Sequence, residues 1–180
     1  MSATKTTAQH DQGVPRLARI LVAEGRGAPM QDCRTAQAVA GRGLVGDRYW
    51  AGCGTFSGRS EVWAGAREIS MIDTAAVAEC NRRLACAGSP GVDAAALRRN
   101  LVIDELDLMT PGRSWLRIDA VEFEILGTCP PCGYLSRLLD QDMRRALYRI
   151  GGVRARVHVG GALNRGAAVE VMDDAGWRRK

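Results

Sequence analysis

Ser114-Trp-Leu-Arg-Ile-Asp-Ala-Val-Glu-Phe-Glu-Ile-Leu126 decides the fold class. Ser114 to Ile118 and Val121 to Leu126 each show the period-two alternation of half-buried strands, with Val121, Phe123 and Ile125 on one face and Glu122 and Glu124 on the other. The two residues between them, Asp119 and Ala120, leave room only for a hairpin or a bulge, so the pair must be antiparallel.

On the C-terminal side, Cys129-Pro-Pro-Cys132 breaks the chain. Leu135, Leu138, Leu139, Met143, Leu147 and Ile150 then recur near helical spacing and predict one or two amphipathic helices, stopped by Gly151-Gly152. Val153 to Val159 alternates apolar and polar side chains, Gly160-Gly161 and Asn164-Arg165-Gly166 read as turns, and Ala168 to Met172 reads as the last strand.

On the N-terminal side, Arg16 to Glu24 is apolar and β-branched and reads as a first strand, with a weaker one over Gln37 to Ala40. Tyr49 to Gly65 carries four glycines, cannot sustain a helix and predicts a long loop, a kind of segment that usually serves function. A strand over Glu68 to Ile72 follows, then a helix over Thr74 to Cys86 capped by Asp73 and ended by Gly88 to Pro90. Asp93 caps a short turn over Ala94 to Leu97, and Arg98 to Ile103 returns to strand character.

Many short strands, Gly-rich turns and a few interposed helices predict a mainly β chain: an antiparallel β-barrel with peripheral helices, in one domain over residues 15–174. Residues 1–14 contain almost no large apolar side chain and read as a disordered tail; residues 175–180 read as a basic, solvated one. At 180 residues with 46% hydrophobic and 25% charged side chains, the chain can close a core without disulfides or metal staples.

No secretory h-region and no membrane-length apolar run is present, so a cytoplasmic protein without membrane partners is expected. Six cysteines in such a setting are expected to stay reduced. The net charge of +5 invites a nucleic-acid reading, but only 5% of residues are aromatic and no basic, aromatic-rich face is apparent, so nucleic acid is not expected as a partner.

The sharpest chemical feature is Thr128-Cys-Pro-Pro-Cys-Gly-Tyr-Leu135, a Cys-x-x-Cys between a strand and a helix, where a helix N-terminus favours the thiolate of Cys132. Four readings compete: a metal-ligating or persulfide-carrying thiolate, a thioredoxin-like redox pair, half of a zinc site, and two buried cysteines packed as small hydrophobes. Zinc would want a second close pair, which the scattered Cys33, Cys53, Cys80 and Cys86 do not supply, and a thioredoxin pair would want a βαβ context. Gly41-x-Gly-x-x-Gly46 matches a dinucleotide fingerprint only superficially, because no helix opens after it. Asp47 and Arg48 beside it suit a buried ion pair or an anion site. Arg98-Arg99-Asn100 concentrates guanidinium forks and an amide fit for phosphate or a pterin edge, although two adjacent arginines are more often solvated.

Taken in order, Gly43-Leu-Val-Gly-Asp-Arg48, Gly52-Cys-Gly-Thr-Phe-Ser57, Leu97-Arg-Arg-Asn-Leu-Val102, Pro131-Cys132 and Gly151-Gly-Val-Arg-Ala155 through Gly160-Gly161 resemble the MOSC domain family, the C-terminal domain of molybdenum-cofactor sulfurases, in its small, free-standing bacterial form. The resemblance implies a β-barrel of the MOSC and pyruvate kinase type that handles the molybdenum cofactor (molybdopterin). It implies Cys132 as the reactive cysteine and metal ligand, Arg98 and Asn100 at the anionic part of the cofactor, and Asp47 and Arg48 in the family's Gly-Asp-Arg motif. Ala167 departs from the Asp that many members carry there. The implied activity is that of a small oxidoreductase acting on N-hydroxylated compounds. The alternative is a sulfur carrier or cofactor chaperone with a persulfide on Cys132. Outside partners would be an electron donor or a sulfur-donating desulfurase; pyridoxal phosphate is not expected in this chain, which shows no aminotransferase-like domain.

Overall fold

The computed structural model describes residues 13–58, 65–110, 112 and 114–172. The expected basic tail and nearly all of the expected disordered tail lie outside the described residues, as does the middle of the long loop.

Eleven strands form among the described residues: β1 (Arg16–Val22), β2 (Gln31–Cys33), β3 (Thr35–Val39), β4 (Gly43–Leu44), β5 (Ile69–Asp73), β6 (Leu101–Asp104), β7 (Trp115–Ile118), β8 (Val121–Thr128), β9 (Val153–Val159), β10 (Gly161–Asn164) and β11 (Val169–Met172). Helix α1 (Thr74–Cys86) and a 3₁₀ turn over Ala94–Leu97 separate β5 from β6, and α2 (Gly133–Leu139) and α3 (Met143–Ala146) separate β8 from β9. Asp73 caps α1 by accepting from the Ala76 amide at 2.7 Å, as its position before the helix predicts.

The fold is mainly β, but it departs from an antiparallel barrel in two respects. Eight strands make one sheet in the order β11-β7-β8-β9-β5-β6-β1-β2, and β10-β3-β4 make a second. Within the larger sheet β5 and β6 run parallel, because α1 carries the chain from the end of one strand back to the start of the next. The ladder also remains open: its last strands do not pair, although an Arg16–Ala168 bridge and the Leu17-to-Ala167 backbone bond (2.9 Å) draw the start of β1 against the entry to β11. The short strand β2 pairs with β1, and β10, which begins and ends in residues read from the sequence as turns, pairs with β3.

The burial pattern explains both layers. Side chains of β1, β5 and β6 are buried on both faces: Ile20, Met71, Leu101 and Ile103 join Phe123, Leu116 and Val157 in the core beneath the sheet. Their neighbours Leu21, Ile72 and Val102 pack against Cys80 and Leu84 of α1 and Leu135, Met143 and Leu147 of the α2–α3 segment. That is why these strands read as nearly continuous apolar runs while β8 alternates. The helices therefore form one layer over β1, β5 and β6, on the face opposite the main core. No helix among the described residues is long and apolar enough to cross a membrane.

Candidate functional site

The loop Gly43 to Arg48 turns through Gly43 and Gly46, both at positive φ, and no helix follows, so the glycine spacing is not a dinucleotide fold. A Cβ at Gly43 would lie 2.4 Å from the Glu68 carbonyl, so this backbone packs directly on the entry to β5. The turn delivers Asp47 into the interior, 1% exposed. Its carboxylate accepts from the amides of Ala23 (3.2 Å) and Tyr49 (3.1 Å), from Nη1 of Arg48 (3.0 Å) and from Nδ2 of Asn100 (3.2 Å). Arg48 donates its other terminal nitrogen to the Arg98 carbonyl at 3.2 Å.

Asn100 is committed on every side. Its Nδ2 donates to Asp47 and to the Leu21 carbonyl (3.3 Å), while Oδ1 accepts from the Ser70 amide (3.2 Å) and hydroxyl (2.9 Å). With both amide hydrogens used, it braces the junction of β1, β5 and β6 and offers no spare donor to a ligand.

Arg98 is different. It occupies the left-handed region (φ 60°) as it leaves the 3₁₀ turn, and it donates Nη1 to the Ala28 carbonyl at 2.7 Å. Its Nη2 is buried with no hydrogen-bond partner. Burial, and secondarily the nearby Arg48 charge, pushes the Arg98 guanidinium below its ordinary range. An unpaired buried donor on a cation is costly unless an anion meets it.

Arg98 and Arg99 are both buried, against the expectation that adjacent arginines are solvated. Arg99 donates to three main-chain carbonyls: Gly151 (2.9 Å), Cys129 (3.0 Å) and Leu97 (3.3 Å).

These groups surround a cavity of about 290 Å³. Arg48, Arg98, Asn100 and Cys132, read from the sequence as site residues, all line it, and Asp47 stands directly behind. So do Arg67, Arg154, Tyr49 and Ser70, which sequence reasoning did not single out as site residues, and Arg99 and Cys129, which it named only alongside Arg98 and Cys132. Among the described residues no Asp or Glu lines the cavity, so five arginines give it a strongly positive wall. Arg67 and Arg154 are steadied by the carbonyls of Phe56 and Ala66. Burial pushes the Tyr49 phenol up, against the opposing pull of Arg48.

Cys132 is half-buried at the N-cap of α2, where its carbonyl accepts from the Leu135 amide at 3.0 Å and its side chain makes no capping bond. Cys129 to Cys132 contains no turn or bend. A residue preceding proline is held extended, as are both residues before Pro130 and Pro131. Both thiols are free, and the pair follows an antiparallel strand rather than standing in a βαβ unit, so the structure lends no support to the thioredoxin reading. Among the described residues no three His, Cys, Asp or Glu side chains gather to hold a metal, which removes the zinc reading for them.

The MOSC domain model matches residues 43–170. No curated protein matches the sequence. Among solved structures, the YuaD protein from Bacillus subtilis superposes with a TM-score of 0.69 at 17% identity, over 87% of this chain and 94% of that one. YiiM from Geobacillus stearothermophilus superposes with 0.64 at 13% identity (88% and 75%), and YiiM from Escherichia coli with 0.62 at 17% (88% and 70%). At such identities the superpositions speak for the fold. The sequence match runs from the Gly43 turn to β11, and so takes in Asp47, Arg48, Arg98, Asn100 and Cys132: the chain belongs to the MOSC domain family.

Proposed function

We propose that the cavity holds the molybdenum cofactor, with Cys132 as the protein's ligand to the metal, and that the chain is a small oxidoreductase acting on N-hydroxylated compounds. The observation that carries this reading is the unpartnered, buried Nη2 of Arg98 in a cavity lined by no Asp or Glu among the described residues and shared with a half-exposed thiol. The residues fit the group. The donor set is one soft sulfur and several guanidinium forks, and no protein cage for a bare ion exists among the described residues. A metal held here has to arrive with most of its ligands, as a dithiolene cofactor does.

When bound, the cofactor would supply a redox-active metal with an exchangeable oxygen position. The chain's own part is to hold it and to keep bulk water away. Arg98 would take the anionic portion, with its unpaired Nη2 as the donor in waiting. Arg48 and Arg154 lend positive potential from neighbouring walls. Asp47 and Asn100 take no ligand contact of their own; they fix Arg48, Ser70 and the ends of β1, β5 and β6 around the cavity. Reduction of an N-hydroxyl group to the amine consumes two electrons and two protons and releases water, and the electrons would come from an external donor protein.

Elemental mass spectrometry on protein from a cofactor-competent host tests the reading, comparing wild type with Cys132→Ala. Near-stoichiometric molybdenum that falls in the variant is the expected result. Wild-type protein free of molybdenum overturns it and brings forward a persulfide on Cys132, detectable as cyanolysable sulfur.

A further inference from the structure

We propose that Arg99 is the positioning residue for Cys132: a buried clasp that fixes the Cys129-Pro-Pro-Cys132 loop against the start of β9, whichever group the cavity takes. The inference goes beyond the cofactor reading and does not depend on it.

The loop cannot hold itself. Pro130 and Pro131 carry no amide hydrogen, and the Cys132 side chain makes no capping bond to α2. What anchors it comes from outside. The Cys129 amide donates to the Gly152 carbonyl at 2.7 Å, and the Cys129 carbonyl accepts Nη2 of Arg99 at 3.0 Å. Through Nε, Arg99 simultaneously grips the Gly151 carbonyl at 2.9 Å, so one planar group joins the two strand ends that bracket α2 and α3. The loop and the β9 entry meet without spare room: a Cβ at Gly151 would lie 2.5 Å from the Cys129 carbonyl and 3.3 Å from Cδ of Pro131.

The charge balance argues that this is more than packing. Arg99 is 7% exposed, and its hydrogen bonds go only to carbonyls. A buried cation without a carboxylate is an expensive way to fill space. What it supplies, and an apolar side chain could not, is three donors in a rigid fork directed at three separate backbone segments. Arg98 on one side of it faces the cavity with an open donor, and Asn100 on the other joins the Asp47 network. Three consecutive residues thus serve the open donor, the cysteine loop and the Asp47 network from one strand entry.

The test follows Cys132 alkylation by iodoacetamide, site by site, by peptide mass mapping in the full chain. Exposed Cys53 and Cys86 serve as internal references, and Leu163→Ala, in the core beneath the sheet, as a variant destabilised away from the loop. Arg99→Lys keeps the charge and loses the fork. Gly151→Ala presses on the Cys129 carbonyl from the other side. Both are expected to raise the Cys132 rate relative to Cys53 by roughly 5- to 30-fold, the change in open population that follows from losing one or two net hydrogen bonds. Leu163→Ala should leave that ratio unchanged. A folded Arg99→Lys protein whose ratio stays within about twofold of wild type overturns the proposal. If neither variant folds, hydrogen exchange in the wild type decides. The Cys129 amide should then exchange as slowly as those of β8 and β9, and exchange roughly 100-fold faster would show that the clasp does not hold the loop.

Discussion

Replacing Asp47 with Asn should cost about 3–5 kcal/mol, most of it from Arg48 rather than from Asp47 itself. The substitution preserves shape. It exchanges one carboxylate oxygen for an NH₂ group at a position where every neighbour is a donor: the Ala23 and Tyr49 amides, Arg48 Nη1 and Asn100 Nδ2. Whichever way the new amide turns, two donors face each other, which costs about 1–3 kcal/mol. The larger effect is that Arg48, 5% exposed, is left as a buried cation whose other partners are a thioether, a carbonyl and the face of the Tyr49 ring, none of them charged. Breaking one side of a buried pair in this way typically costs about 3–5 kcal/mol. At about 2–4 °C per kcal/mol for a chain of this size, the midpoint should fall by roughly 6–20 °C. Urea unfolding followed by circular dichroism measures the loss directly. The reasoning also requires coupling: in Asp47→Asn/Arg48→Met, removing the orphaned charge should return at least about half of the loss. A loss below about 1 kcal/mol in the single variant, or simple additivity in the double, would refute it.

Arg98→Met should leave the folded protein no less stable than wild type, since it removes a buried cation with an unpaired donor along with one bond to Ala28. The same change should weaken phosphate binding to cofactor-free protein by about tenfold or more, read by calorimetry; unaltered affinity would show that Arg98 does not face the anion. Asp73 presents a case in pH dependence. Burial raises its carboxyl above the ordinary value, despite the bond from Ala76. The folded state therefore binds this proton more tightly than the unfolded one. Stability from this group is fully present below the unfolded value of about 3.9 and is lost as pH rises through the folded value. Asp73→Asn keeps the cap and should flatten that segment of the pH–stability curve; an unchanged slope counts against the assignment.

The sequence carried the antiparallel pair β7–β8, helix α1 with its Asp73 cap, and the strand before α1 nearly to the residue, because each rests on local periodicity and a local cap. The parallel pairing of β5 with β6 was not legible. It follows from where α1 sets the chain down, which depends on the apolar residues Cys80 and Leu84 finding Ile72 and Val102 across the sheet. The four residues picked for the cavity wall were legible through the family's motifs, whose spacing survives where whole-chain similarity does not. Arg99 was misjudged because a pair of arginines on a strand looks solvated until the 3₁₀ turn and its left-handed Arg98 are known. The meaning of Asn100 also shifted. An amide near a ligand reads as a donor, and only the positions of Leu21, Ser70 and Asp47 show that all its bonds are already made.

The cavity gathers its walls from Arg48 through Arg154, and its Asp47–Asn100–Ser70 brace joins segments that are far apart along the chain. During synthesis the brace has all its residues once β6 has left the ribosome, but until β9 follows Arg99 lacks the Gly151 carbonyl and the cysteine loop lacks its anchor. The wall that carries Cys132 is therefore the last to be fixed, and a nascent chain stalled before β9 should hold the cysteine loop no more firmly than an unanchored segment.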